Sequence, residues 1–309
     1  MFIVFKRRTF SNLMNDTITF FKTEGAVYFR NYFSICGALI MLFLLCSYFL
    51  IDVIYSSIQA SKYETSSVDS FIENNIGFIF ILVIISVILV LIIGTITASY
   101  PIYYLKNIEE NPTVYQNLSF IKGLIKKDFL RLLSFGLGTF FLIGPLTILL
   151  FSLSVILTMF VIGIPIMITL LPAITSWVSL SLYEYITNRK GFFESYKIGF
   201  NMMLSQFWII IGNTVLFYMM VQIFLGLITS LPQILFYGNL LLSEKSNTDF
   251  SETQGFKLML VAILLLASLV SFIANNVLLI NQGLIYYSIR ENKENKQSYA
   301  DIDMIGTNS

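Results

Sequence analysis

The feature that most constrains this chain is an apolar stretch over residues 130–183, with no charged residue from Leu132 to Tyr183. As one helix rising 1.5 Å per residue it would reach roughly 80 Å, against ~30 Å of bilayer hydrocarbon. A stretch of that length has to cross a membrane twice and fold back on itself. The turn is expected near Met159–Pro165, where Gly163 and Pro165 weaken the helix.

Four further apolar runs are long enough to cross, at about 32–55, 77–103, 206–230 and 258–287. Together with the folded-back stretch they make six crossings. Residues 232–242, PQILFYGNLLL, are apolar but too short to cross, and are expected at the outer interface. The fold class that follows is all-α: a polytopic bundle of about six transmembrane helices with amphipathic interfacial helices. Residues 1–31 form a cytoplasmic segment, 32–288 the membrane domain and 289–309 a polar, disordered tail.

Composition agrees, with 56% hydrophobic residues and 12% charged, where a soluble domain carries about 25% charged. A net charge of +1 offers no field for nucleic acid. Histidine is absent. That removes His-based acid/base catalysis, Ser-His and Cys-His nucleophile pairs, and histidine-ligated haem, zinc and iron. Cys36 and Cys46 lie ten residues apart in one apolar run, too far apart on a straight helix to bridge.

Charge sets the expected orientation. Of the 19 Lys and Arg residues, only Lys62, Lys245 and Lys257 fall in segments on one side of the six crossings. The other 16 fall in the N-terminal region, the two even-side loops and the tail. The positive-inside rule then places both ends in the cytoplasm. Each basic segment ahead of an odd-numbered crossing also has an apolar face at helical spacing. These are 9–24 (Phe10, Leu13, Met14, Thr17, Ile18, Phe21), 113–129 (Tyr115, Leu118, Ile121, Ile125, Phe129) and 191–206 (Phe192, Phe193, Tyr196, Phe200, Met203). They read as helices lying on the membrane surface, where anionic lipid or a membrane-protein partner would meet them.

Candidate functional residues are the polar groups at membrane depth. Glu184 closes the fourth crossing within reach of Arg189 or Lys190. Asn213 and Gln222 lie in the fifth crossing, and Asn275, Asn276 and Gln282 in the sixth. Asn275 and Gln282 are expected to share a helix face, with Asn276 beside them. Such residues serve either interhelical packing or a polar pathway. Glu109 and Glu110 read as a solvated pair in a loop. No Walker A motif, GxGxxG motif or nucleophile elbow is present. No catalytic residue, cofactor or metal is expected.

The surface helix YQNLSFIKGLIKKDFLRLL, the GIP turn and the segment LYEYITNRKGFFESYKIGFNMMLSQFW resemble a broad group of bacterial six-span proteins. The group includes the YciC-like proteins and the membrane domain attached to some glycerophosphodiester phosphodiesterases. The matching positions are Pro165, Glu184, Ser195 and Phe207-Trp208. The opening KRRTFSNLMNDTITFFKTEG is similar to Bacteroidota membrane proteins that often carry a beta-carotene monooxygenase label. True carotenoid oxygenases hold iron through histidines in a β-propeller, and this chain has no histidine. The resemblance implies a six-span fold in a bacterial inner membrane, and no catalysis is inherited from it. The expected role is a scaffold or accessory factor, the alternative a transporter or permeability factor for a small amphiphile.

Overall fold

A computed structural model describes residues 2–61, 65–110, 117–242 and 254–295. Among these residues there are eight α-helices and no strand. In chain order they are α1 (Phe10–Thr23), α2 (Gly25–Ser61), α3 (Thr65–Glu110), α4 (Leu118–Leu157), α5 (Gly163–Thr187), α6 (Phe192–Ser205), α7 (Phe207–Leu242) and α8 (Gln254–Glu294). Six are long and apolar enough to cross a membrane: α2, α3, α4, α5, α7 and α8. The chain is an integral membrane protein of the all-α polytopic class.

The helices outrun the apolar segments that specify them. The first candidate crossing covers Gly25–Ser57 and the second Asn75–Glu110, beyond the expected 32–55 and 77–103. Hydropathy marks the part that seeks lipid, and hydrogen bonding carries the helix on through polar residues. For the same reason Glu109 and Glu110 are not in a loop. They end α3, with Glu110 paired to Lys106 one turn earlier. Residues 232–242 likewise do not form a separate interfacial segment but continue α7 to Leu242. The tail from residue 296 onward and residues 111–116 lie outside the described residues.

The long apolar stretch folds back where Gly and Pro were expected to break it. After α4 a single 3-10 turn, Thr158–Phe160, leads to Val161 at φ 64°, a left-handed residue. Gly163 then starts α5 against the preceding turn. A Cβ there would come within 2.2 Å of the Thr158 nitrogen and 2.4 Å of the Ser154 carbonyl oxygen. Only glycine fits that approach. Pro165 sits in the first turn of α5, where a missing N–H costs nothing.

The chain divides into two compact units. The first comprises residues 1–35, 95–219 and 275–309; the second, 36–94 and 220–274. Among the described residues, the first carries all the Lys and Arg side chains except Lys257, which belongs to the second. Every buried polar or charged side chain among the described residues, from Arg8 to Glu291, belongs to the first unit. Its core adds buried tyrosines, with Tyr28 and Tyr104 packed on Phe20, Tyr100 on Tyr28, and Tyr183 stacked on Tyr286. The second unit buries apolar side chains and the Ser86 hydroxyl oxygen, and presents Met41, Phe80 and Leu227 outward. Its ion pair, Lys257 with Asp52, carries Lys257 over the Tyr55 ring.

The three amphipathic segments take different forms. α1 turns Leu13, Thr17 and Phe20 into the protein rather than towards lipid. The second segment is not a separate helix; Leu118 onward is the first part of α4. α6 is a separate short helix, ended at Gln206 before α7 begins. It buries Tyr196, Gly199, Met202 and Met203, and exposes Phe193, Phe200 and Leu204. Gly199 permits close packing on α5, since a Cβ there would meet the Ser181 backbone at 2.7 Å.

Candidate functional site

Every residue of α8 from Ile280 to Ile289 is buried. Ten residues make nearly three helical turns, so this part of α8 is enclosed on all faces. Its sequence, INQGLIYYSI, combines uncharged polar and apolar residues, as an axis touching several neighbours at once requires.

The polar residues there reach several neighbouring elements. The Asn281 amide donates to Thr17 of α1 (3.0 Å) and to the side-chain oxygen of Asn213 in α7 (2.7 Å). Gln282 donates to Thr214 of α7 (2.8 Å), whose hydroxyl also pairs with Ser176 of α5 (2.8 Å). Tyr286 donates to Glu184 of α5 (3.0 Å). One turn before the enclosed segment, Asn276 accepts from Tyr28 of α2 (2.7 Å). Ser288 accepts from the backbone N–H of Arg8 (2.9 Å), ahead of α1.

Four of the six expected candidates, Glu184, Asn213, Asn276 and Gln282, therefore belong to one buried polar core. Gln222 and Asn275 do not; both are exposed. Asn275 does share a helix face with Gln282, but α8 is enclosed only from Ile280 onward, so the shared face is covered at one position and open at the other. Asn281, absent from the expected set, is the residue that links α1, α7 and α8. Its signal in the sequence is an amide pair, Asn281-Gln282, beside a glycine in an uncharged run.

Glu184 is 3% exposed, and neither expected cation binds it. Its carboxylate accepts from Tyr286 and, at 2.7 Å, from Asn188. Arg189 pairs instead with Asp128 of α4 through two bonds of 2.8 and 2.9 Å, and Tyr103 of α3 donates to the same carboxylate at 2.6 Å. Arg189 is left-handed at φ 55°. Lys190 pairs with Glu194 (2.8 Å). This contact draws the Lys190 ammonium pKa above its usual value and the Glu194 carboxyl below its own. Arg131 closes the cluster, donating to the Tyr185 and Lys190 carbonyls and lying 4.3 Å from the centre of the Tyr185 ring.

A second buried charge organises the N-terminal segment. Arg8 is 5% exposed, and its guanidinium donates to Asp16 (2.9 Å) and to the carbonyls of Ile3, Val4 and Lys6. Burial lowers its pKa, against which the Asp16 bond works. Two open cavities flank this segment. One, of about 330 Å³, is lined by Phe2, Ile3, Lys6, Asp16, Thr19, Thr23 and Glu24. The other, of about 260 Å³, is lined by Phe2 to Phe5, Ile108 and Glu109. Neither is lined by a residue of the polar core.

Chemically, the polar core offers amides, hydroxyls and one carboxylate engaged with one another across helices. Among the described residues no three His, Cys, Asp or Glu side chains converge. No protein-family model, no curated protein and no solved structure matches the chain.

Proposed function

We propose that this protein is a non-enzymatic scaffold or accessory factor of a bacterial inner membrane, with both termini in the cytoplasm and its basic face against anionic lipid. The observation that carries the reading is the use of the buried polar groups. Glu184, Asn213, Asn276, Asn281 and Gln282 each bond to a neighbouring helix. Groups spent in this way hold helices together, each bond adding about 0.6 kcal/mol on average in a membrane. The exposed Lys122, Lys126, Lys127 and Lys197, with the exposed apolar side chains of α6, suit contact with an anionic headgroup layer.

The experiment is reconstitution of the full chain into vesicles of phosphatidylethanolamine and phosphatidylglycerol. The scaffold reading expects no efflux of an entrapped amphiphilic dye above that of empty vesicles. It also expects phosphatidylglycerol to be retained over phosphatidylcholine when the purified protein is delipidated stepwise. Saturable efflux would overturn it.

A second reading, a permeability path for a small amphiphile, has one observation in its favour. Asn281 Oδ1, Gln282 Oε1 and the Tyr183 and Tyr287 hydroxyls are buried without a hydrogen-bond partner. Buried polar atoms of this kind commonly hold water. Under that reading Gln282→Leu abolishes efflux while the protein stays folded.

A further inference from the structure

Residues 219–233 of α7 show two opposite exposed faces of different chemistry. At about 100° per residue, Gln222, Gly226, Thr229 and Gln233 fall within an arc of roughly 60°. All four are exposed. Met220, Phe224, Leu227 and Leu231 fall on the opposite side and are exposed as well. The second face suits lipid. The first does not at the depth of Gln222, because hydrocarbon offers a carboxamide no partner; Gln233 lies just past the candidate crossing, which ends at Leu231.

Depth along the helix makes the mismatch definite. Trp208, 83% exposed at the start of α7, suits the aromatic belt of one membrane interface. Gln222 lies about 21 Å further along and Gly226 about 27 Å, within the ~30 Å of hydrocarbon. Both fall inside the candidate crossing Phe207–Leu231. The Gln222 and Gln233 carboxamides make no hydrogen bond among the described residues. The Thr229 hydroxyl bonds only back to its own helix, at Leu225 and Gly226. Nothing lies within 4 Å of the place a Gly226 Cβ would occupy, so the backbone there is open to a close neighbour.

We propose that the Gln222–Gly226–Thr229–Gln233 face of α7 is a helix-pairing surface, and that its occupant is the same face of a second copy of this chain. The chemistry selects a copy. Copies in one membrane insert the same way up, so a two-fold axis along the membrane normal sets α7 parallel to its image and each residue beside its own counterpart. A carboxamide is both donor and acceptor, and therefore pairs with itself. Gln222 meets Gln222 and Gln233 meets Gln233, while Gly226 between them lets the backbones approach, as small residues do in membrane helix pairs. The apolar face stays turned to lipid.

The test uses the full chain in native membranes, with Cys36 and Cys46 replaced by alanine and single cysteines placed at 222, 226 and 229, or at 220, 224 and 227. After oxidation with copper phenanthroline, the first set should give a disulfide-linked species of twice the chain mass, several-fold more than the second. Equal yields at the two sets, no adduct, or an adduct of another mass would each overturn the proposal. Photobleaching of the labelled, otherwise unaltered chain in a bilayer gives an independent measure. Two-step bleaching that becomes single-step in Gln222→Leu/Gln233→Leu supports the paired face. Single steps in the unaltered chain overturn the second copy, and two steps unchanged by the double substitution overturn the face.

Discussion

The Tyr183 hydroxyl lies against the α-carbon of Gly283, where an added Cβ would sit 2.1 Å from the oxygen and 2.3 Å from Leu105 Cδ1. Tyr183 is nearly fully buried, and its ring is stacked on Tyr286 with centroids 4.9 Å apart. α5 and α8 meet here at the closest distance the two residues allow.

Gly283→Ala should therefore overpack the core and cost about 1–3 kcal/mol. Thermal unfolding in detergent would show a lowered midpoint. Gly123→Ala is the control, since a Cβ there meets nothing within 4 Å, and alanine is the better helix former. The Tyr183 hydroxyl has no hydrogen-bond partner. Tyr183→Phe alone should be neutral or stabilising, and should recover part of the loss when combined with Gly283→Ala.

The polar core predicts a contrast within one helix. Asn281→Leu removes two interhelical bonds and strands the Asn213 side-chain oxygen in a buried site. A stranded buried polar group costs about 1–3 kcal/mol. Asn275→Leu, at an exposed position, should leave the unfolding midpoint within about 0.5 kcal/mol of the parent. Equal effects of the two would contradict the placement of α8.

How far the sequence discloses this difference depends on what fixes burial. Hydropathy and the Gly163–Pro165 pair locate the crossings and the fold-back because both are local properties. Residue pattern also gives the phase of a helix. It does not say how far round the helix its neighbours reach. Asn275 and Gln282 share a phase, yet α8 is enclosed only from Ile280 on, so one is exposed and the other buried. The apolar stripe of α1 is similarly ambiguous, since lipid and a protein core select the same residues. Ion-pair choice is harder still. Arg189 is nearer in sequence to Glu184, but its left-handed backbone sits beside Asp128.

That ion pair gives a third prediction. Asp128→Asn loses the bidentate bond to Arg189 and weakens the bond from Tyr103. Bonds to charged groups contribute about 1.5–3 kcal/mol, and the half-exposed Arg189 puts the expected loss at the low end. Arg189→Lys should not keep the parent value, because an ammonium cannot match the two carboxylate oxygens at once. A double-mutant cycle of Asp128→Asn with Tyr103→Phe should show coupling of at least about 0.5 kcal/mol.

The fold-back carries a fourth. Val161 is a β-branched residue held left-handed at φ 64°, a conformation that costs a non-glycine residue about 1–3 kcal/mol. Val161→Gly should raise the unfolding midpoint, while Gly163→Ala, facing the Ser154 and Thr158 backbone, should lower it.

Side-specific cysteine labelling tests the topology most directly. In intact cells carrying the chain without Cys36 and Cys46, a membrane-impermeant maleimide should reach Lys62→Cys and Lys245→Cys. Ser11→Cys and Asn292→Cys, near the two ends, should react only after the cells are opened. Labelling of Ser11→Cys and Asn292→Cys from opposite sides, or of Lys245→Cys only in opened cells, would contradict six crossings with both ends in the cytoplasm.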